Sequence, residues 1–305
     1  MEAARTAHDI AYDIAHDIAY EAFRAAYDDA LGRWPGPGPV DARVIDTPFG
    51  ATRINSTGPR DAPPLALLPG GGTTSLVWGE CLRAGLARER RVHAVDLVGE
   101  PGMSVPAAGR PLRTVDDLTE WLDAVLDGVV DGVLDGQGVG GGVVELAGYS
   151  YGGWIAAHYA ARRPERLRRL VLLDPTQVFA GLRPAYVARA LPMLLRPTPD
   201  RVRSFLAWET GGAVLDPAWM RVRTAAAALP TARPVTGARP VLGAGEARGL
   251  PLLALFAGNA RCHDPARAAR AATAAVPDAV VRVLPGVSHH SLLLVGAGEV
   301  VGGWG

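Results

Sequence analysis

Short apolar runs recur along the chain, each followed by a stretch with helical spacing. Leu65–Leu68, Val92–Val95, Val143–Leu146, Leu170–Leu173, Leu252–Phe256 and Val280–Leu284 are too short for buried helices and are bounded by Gly, Pro or Asp. They read as strands buried on both faces. Between them, helical spacing runs through Trp78 and Leu86, through Leu118, Trp121 and Leu122, through Ile155 to Ala160, and over Pro265–Val276. Two further strands, Arg43–Thr47 and Ala51–Asn55, are joined by Pro48-Phe49-Gly50 and predict a hairpin. Alternation of this kind implies an α/β fold with a mainly parallel, doubly wound sheet and its site at the carboxyl ends of the strands.

Three stretches break the alternation. Residues 7–23 carry a four-residue repeat that places Ile10, Ile14 and Ile18 on one helical stripe and Asp9, Asp13 and Asp17 on its neighbour. This low-complexity helix and its Pro/Gly linker occupy residues 1–39; His8 and His16 lie two turns apart, too far to share a metal ion. Residues 176–248 hold short helical pieces interrupted by prolines from Pro184 to Pro240, and an insertion between two sheet strands reads as a cap over the strand ends. Residues 296–305 form a Gly-rich tail, a poor helix by propensity. The remaining core is expected at 40–175 and 249–295.

Composition narrows the class. Of 305 residues, 49% are hydrophobic, enough for a sizeable core, and 20% are charged. Net charge is zero, so no global field favours nucleic acid or an anionic membrane. Every basic residue other than His is Arg. Two cysteines, Cys81 and Cys262, give no disulfide framework and are expected as reduced thiols. Acidic residues near the N-terminus do not suit a signal peptide, and no apolar stretch is long enough to span a bilayer. A soluble cytoplasmic protein is expected.

The chemistry centres on Gly148-Tyr149-Ser150-Tyr151-Gly152, a G-x-S-x-G motif with a strand before it and a helix after. A strand that becomes a helix within two residues strains the Ser backbone, and the flanking glycines remove side chains that would collide there. The hydroxyl then stands at the top of the sheet above a helix N-terminus, which favours developing negative charge. Serine needs a base within hydrogen-bonding reach. Of seven histidines, only His289 and His290 follow a late strand in a loop. Gly136-x-Gly138-x-x-Gly141 is a formal dinucleotide fingerprint, but it precedes a strand instead of following one. Gly70–Gly72 could be a tight turn without a ligand, and a phosphate-binding loop would need a Lys that the chain lacks. No cofactor and no metal are expected.

Taken together these landmarks resemble the α/β-hydrolase-fold superfamily, in its carboxylesterase-like branch of serine hydrolases with a helical cap. They are Leu68-Pro69-Gly70-Gly71-Gly72, Asp96-x-x-Gly99-x-x-Gly102-x-Ser104, the Ser150 motif and Pro285-Gly286-x-x-His289. Over roughly residues 40–290 the resemblance implies an eight-stranded sheet with a cap inserted between the strands near residues 174 and 252. It implies Ser150 as nucleophile, His289 as base, and backbone N–H groups of Gly71 and Tyr151 as the oxyanion hole. The family usually has His before the loop glycines, where Pro69 stands here. Similar hydrolases place the acid just past the glycine ending the next-to-last strand, where Gly258-Asn259-Ala260-Arg261 offers none. Two carboxylates remain. Asp264, followed by Pro265, has the signature of a helix N-cap. Asp174 ends the preceding parallel strand, from which some relatives such as haloalkane dehalogenases supply their acid. Asp174 is favoured. Tyr149, Trp208 and Trp219 are candidate pocket residues.

The expected activity is hydrolysis of a small ester or related acyl substrate through a Ser-His-Asp triad and an acyl-enzyme. Perhydrolysis and carbon–carbon bond hydrolysis use the same triad. A different class of reading is a non-catalytic ligand-binding protein that keeps the fold, since fold alone does not guarantee function.

Overall fold

The computed structural model describes residues 7–131, 142–242 and 249–304. The dinucleotide-like fingerprint at 136–141 lies outside the described residues. Nine strands form one sheet in the order β1-β2-β4-β3-β6-β7-β8-β9, with the two-residue β5 (Val105–Pro106) pairing with β2. The predicted hairpin is β1 (Asp41–Thr47) and β2 (Gly50–Thr57), antiparallel. From β4 (Arg91–Val95) through β3 (Pro64–Leu68), β6 (Val144–Tyr149), β7 (Leu167–Leu173), β8 (Leu252–Ala257) and β9 (Val280–Leu284) every pairing is parallel. All six residues of β6 and of β8 are buried, as continuous apolar runs require when helices cover both faces.

After β3 the chain steps to β4 on one side and then returns to β6 on the other. This reversal makes β3/β6 the switch point of the sheet, where the loops leaving adjacent strands diverge and open a crevice. Register fixes what meets there. Leu68 pairs with Gly148 and Tyr149 with Leu173, so the Gly70–Gly72 loop, Ser150 and Asp174 leave their strands at one level.

Behind the sheet lie α3 (Val115–Asp131) and α4 (Tyr151–Ala160), and on α4 every residue from Gly152 to Ala160 is buried. Residues 176–242 hold three short helices, α5 (Pro184–Leu195), α6 (Pro199–Thr210) and α7 (Pro217–Ala225), each beginning at a Pro that fixes φ at the first turn. α2 (Gly79–Arg83) and α8 (Pro265–Ala275) complete the flanking layer. No helix among the described residues is long and apolar enough to cross a membrane.

Both ends of the chain are more integrated than the sequence pattern predicts. The N-terminal helix α1 (Ala7–Gly32) is present, and its last turns bury Phe23, Tyr27 and Ala30 against Leu76, Val222 and Ala226. The Tyr27 hydroxyl donates to Asp96 Oδ2 at 2.8 Å and accepts from Asn55 Nδ2 at 2.6 Å. The Gly-rich tail is a helix, α9 (Ala297–Trp304), contrary to its propensity. Burial of Ala297, Val300 and Trp304 outweighs the cost of its glycines, and Arg169 Nη1 closes its end by donating to the Trp304 carbonyl at 2.6 Å. Cys81 and Cys262 are both free and buried, as the sequence implies.

Candidate active site

Ser150 sits at the bend between β6 and α4 with φ 56° and ψ −116°, a conformation that disfavours any residue with a Cβ. The sequence explains how the chain reaches it. A Cβ on Gly148 would strike the carbonyl of Gly152, and one on Gly152 would strike the carbonyls of Leu68 and Pro69. Ser150 N–H donates to Leu173 O at 3.0 Å, which holds the bend against β7. Tyr151 is the first residue of α4, so its N–H belongs to the helix-start donors with no partner inside the helix.

His289 lies in the turn after β9. Its Nε2 is 2.9 Å from Ser150 Oγ, and its Nδ1 is 2.6 Å from Asp174 Oδ2. Asp174, fully buried at the end of β7, itself has φ 43°. Its N–H donates to Leu255 O at 2.7 Å, and its Oδ1 accepts from Ala257 N at 3.0 Å. The carboxylate is therefore held from both ends by β8. Of the two candidate acids, the structure brings only Asp174 to His289. Asp264 is the N-cap of α8: its Oδ1 accepts from Arg267 N at 2.9 Å, and it is 3.7 Å from Arg183 on the surface.

Sequence reasoning missed three residues around this chain of bonds. His263 Nε2 is 3.0 Å from Asp174 Oδ1, so one carboxylate carries an imidazole on each oxygen. Cys262 Sγ is 3.9 Å from Asp174 Oδ2 and 3.5 Å from His263 Nδ1. Glu209, buried on α6, accepts from Ser288 Oγ at 2.7 Å, His289 N at 3.1 Å and His290 N at 3.0 Å. It clamps the backbone that carries His289. Only the spacing Cys262-His263-Asp264-Pro265 hinted at His263, and nothing in the pattern of residues 176–248 singled out Glu209.

The environment sets the charges. Burial works to raise the pKa of Asp174, but hydrogen bonds from His263 and His289 more than reverse it and hold the carboxyl well below its usual range. For His289, burial opposes the imidazolium, yet contacts with Cys262 and Asp174 outweigh it and raise the pKa well above the ordinary value. His263 behaves alike, brought up to about 9 against burial by Asp174 and Cys262. His290 is pushed the other way, by burial and then by the adjacent His289, so it stays neutral; its Nε2 lies 3.2 Å from the Tyr186 hydroxyl.

Ser150 faces a cavity of about 10 Å3, room for roughly one water. Gly70, Gly71, Tyr149, Trp219, Arg223 and His290 are in its wall. Of the candidate pocket residues, Tyr149 and Trp219 are therefore at the site, and the Tyr149 hydroxyl donates to His289 O at 2.9 Å. Trp208 is not. It packs with Phe205 and Tyr186 beneath the Arg261 guanidinium, because the two sides of α6 point Glu209 inward and Trp208 toward α5. A larger cleft of about 270 Å3 between α1 and α7 shares Trp219 with this cavity. Asp174, Cys262 and His289 present ligand atoms within 4.8 Å of one another, but those on Asp174 and His289 are engaged in the hydrogen bonds just described.

A sheet with its switch point at β3/β6, a strained Ser on the β6–α4 bend and a His after the last strand define an α/β hydrolase. The chain belongs to that family: the model of the alpha/beta hydrolase family matches residues 65–302. Carboxylesterase YbfK of Bacillus subtilis is 33% identical over 190 residues, 62% of this chain and 58% of the relative. An uncharacterized carboxylesterase, nap, of the same organism is 28% identical over 86% of this chain and 84% of its own length. Among solved structures, the naproxen esterase of Bacillus subtilis superposes with a TM-score of 0.80 at 25% identity, covering 94% of this chain and 98% of that one. The carboxylesterase CesB (YbfK) structure gives a TM-score of 0.78 at 26% identity, covering 93% and 96%.

Proposed function

We propose that this protein is a serine carboxylesterase in which Ser150 attacks the ester carbonyl, His289 takes its proton and Asp174 orients the imidazolium. The observation that carries the reading is the continuous chain of hydrogen bonds from Ser150 Oγ through both nitrogens of His289 to Asp174. The names of the Bacillus subtilis relatives support ester hydrolysis. The backbone N–H groups of Tyr151, the residue after the nucleophile, and of Gly71, in the wall of the Ser150 cavity, bind the oxyanion. His289 then protonates the departing alcohol, and water, deprotonated by His289, hydrolyses the acyl-enzyme. Residues 176–248 act as the cap and, through Trp219 on α7, shape the acyl pocket.

A fluorophosphonate probe tests the nucleophile. Expected is covalent labelling of the wild type at Ser150 and none of Ser150→Ala, with turnover of short p-nitrophenyl esters following the same pattern. Equal labelling of both proteins, or no turnover above the Ser150→Ala control, would favour a non-catalytic binding protein.

A further inference from the structure

Arg223, in the last turn of α7, brings a permanent positive charge to the wall of the Ser150 cavity. The other lining residues named above are neutral, His290 included, so this guanidinium sets the charge of the pocket. It makes no hydrogen bond and no ion pair among the described residues. Arg221, two positions earlier on the same helix, is by contrast paired with Asp29 at 2.7 Å.

The position of Arg223 is built. A Cβ on Gly72 would lie 2.9 Å from Nη2, so the guanidinium rests against the loop that follows β3, one residue from Gly71. The acidic group that acts on it, Glu100, donates nothing to the cavity: its Oε2 accepts the Gly72 N–H at 2.7 Å, and it lines a separate cleft toward Val235. A guanidinium has five N–H donors in a rigid fork, and no protein acceptor among the described residues engages those of Arg223, which leaves them open to a ligand. Planar bidentate pairing matches a carboxylate. The nearby Glu100 disfavours a doubly charged phosphate.

We propose that Arg223 is a specificity determinant that receives a carboxylate carried by the substrate, so that the preferred substrates are half-esters of short dicarboxylic acids. This rests on the serine esterase reading above. The ester carbonyl sits at Ser150 and Gly71, and the free acid reaches Arg223 one residue further along the loop. Attack breaks the acyl–oxygen bond, and the alcohol leaves with the proton held by His289. Water then adds hydroxide to the acyl carbon and returns its proton through His289, releasing the dicarboxylic acid. The carboxylate on Arg223 is unchanged throughout.

The test compares mono-4-nitrophenyl adipate with 4-nitrophenyl hexanoate, esters of equal chain length that differ in the terminal carboxylate, corrected for the rate with Ser150→Ala. The wild type should favour the adipate half-ester in kcat/KM by roughly 10–100-fold, the range for hydrogen bonds to charged groups. Arg223→Gln should bring the ratio to one or below, and Arg223→Lys should retain part of it. A wild-type ratio of one, with the hexanoate hydrolysed through Ser150, overturns the proposal and leaves the esterase reading intact. A preference that persists in Arg223→Gln overturns it equally. If no ester is hydrolysed and no probe labels Ser150, the esterase reading fails, and titration calorimetry of adipate against hexanoate still decides the Arg223 site. Equal affinity of the wild type for the two acids would then refute it.

Discussion

Replacing Glu209 by Gln tests whether α6 positions the base. Three donors converge on this carboxylate: Ser288 Oγ and His290 N on Oε2, and His289 N on Oε1. An amide of the same shape keeps one acceptor. Its better orientation puts the oxygen at the Oε2 position and turns the NH2 toward His289 N–H, donor against donor. One buried N–H then loses its partner, about 1–3 kcal/mol, and the two surviving bonds lose their charge assistance, about 1 kcal/mol more. Destabilisation of about 2–4 kcal/mol follows, which corresponds to a fall in Tm of about 3–6 °C for a chain of this size. The lost bond is on His289 itself, so the imidazole loses its hold on Ser150, and a displacement near 1 Å costs on the order of 10²-fold in rate. Thermal unfolding by circular dichroism and kcat on a short p-nitrophenyl ester measure the two effects. Ser288→Ala removes a donor without stranding a backbone N–H and should cost about 1 kcal/mol with little loss of kcat. If Glu209→Gln matches the wild type in both Tm and kcat, or if Ser288→Ala is the more damaging, the clamp does not position His289.

Asp174→Asn should lower kcat by roughly 10³–10⁴-fold because it no longer fixes the imidazole tautomer, whereas Asp264→Asn should cost little because Asn caps a helix nearly as well; the opposite order in steady-state assays would exclude Asp174. His263 has its pKa raised from 6.5 to about 9 in the fold, so its pairing with Asp174 contributes stability that is complete below about pH 6.5 and lost as pH rises through 9. The Tm gap between wild type and His263→Asn should accordingly narrow from pH 6.5 to above 9, and a constant gap would contradict the pairing. Gly302 is exposed on α9, with nothing within 4 Å of where its Cβ would stand, so Gly302→Ala should raise stability by about 0.5–1 kcal/mol in denaturant unfolding. A drop in stability would mean that α9 is not helical in solution.

What the sequence made legible is local. Ser150 announced itself because a strand, a Gly-flanked Ser and a helix are contiguous, and His289 because it follows the last strand in a loop. Asp174 followed from strand order, since a parallel neighbour carries its end residue to the same rim. Glu209 and Arg223 were hidden because α6 and α7 come from a Pro-broken stretch whose placement is decided by packing, not by period. His263 stands just before α8, and only the fold shows that the start of α8 abuts Asp174. At the termini, repeat and glycine content masked the few residues that dock them. Phe23 and Tyr27 hold α1, and Val300 and Trp304 hold α9, each by tertiary burial that intrinsic propensity does not register.

The narrowness of the cavity beside Ser150 bears on how affinity and stability trade against each other. A space for about one water cannot admit an ester, so an ester binds only to conformations in which the side chains around Ser150 stand further apart. The apparent dissociation constant is then the intrinsic one divided by the open fraction, and each tenfold drop in that fraction weakens binding tenfold. α1 grips α7, which carries Trp219 and Arg223, through Phe23, Val222 and the Asp29–Arg221 pair, so this contact bears on that fraction from outside the cavity. Tightening the α1–α7 contact would yield a protein that melts later and saturates at higher substrate concentration, while loosening it would do the reverse.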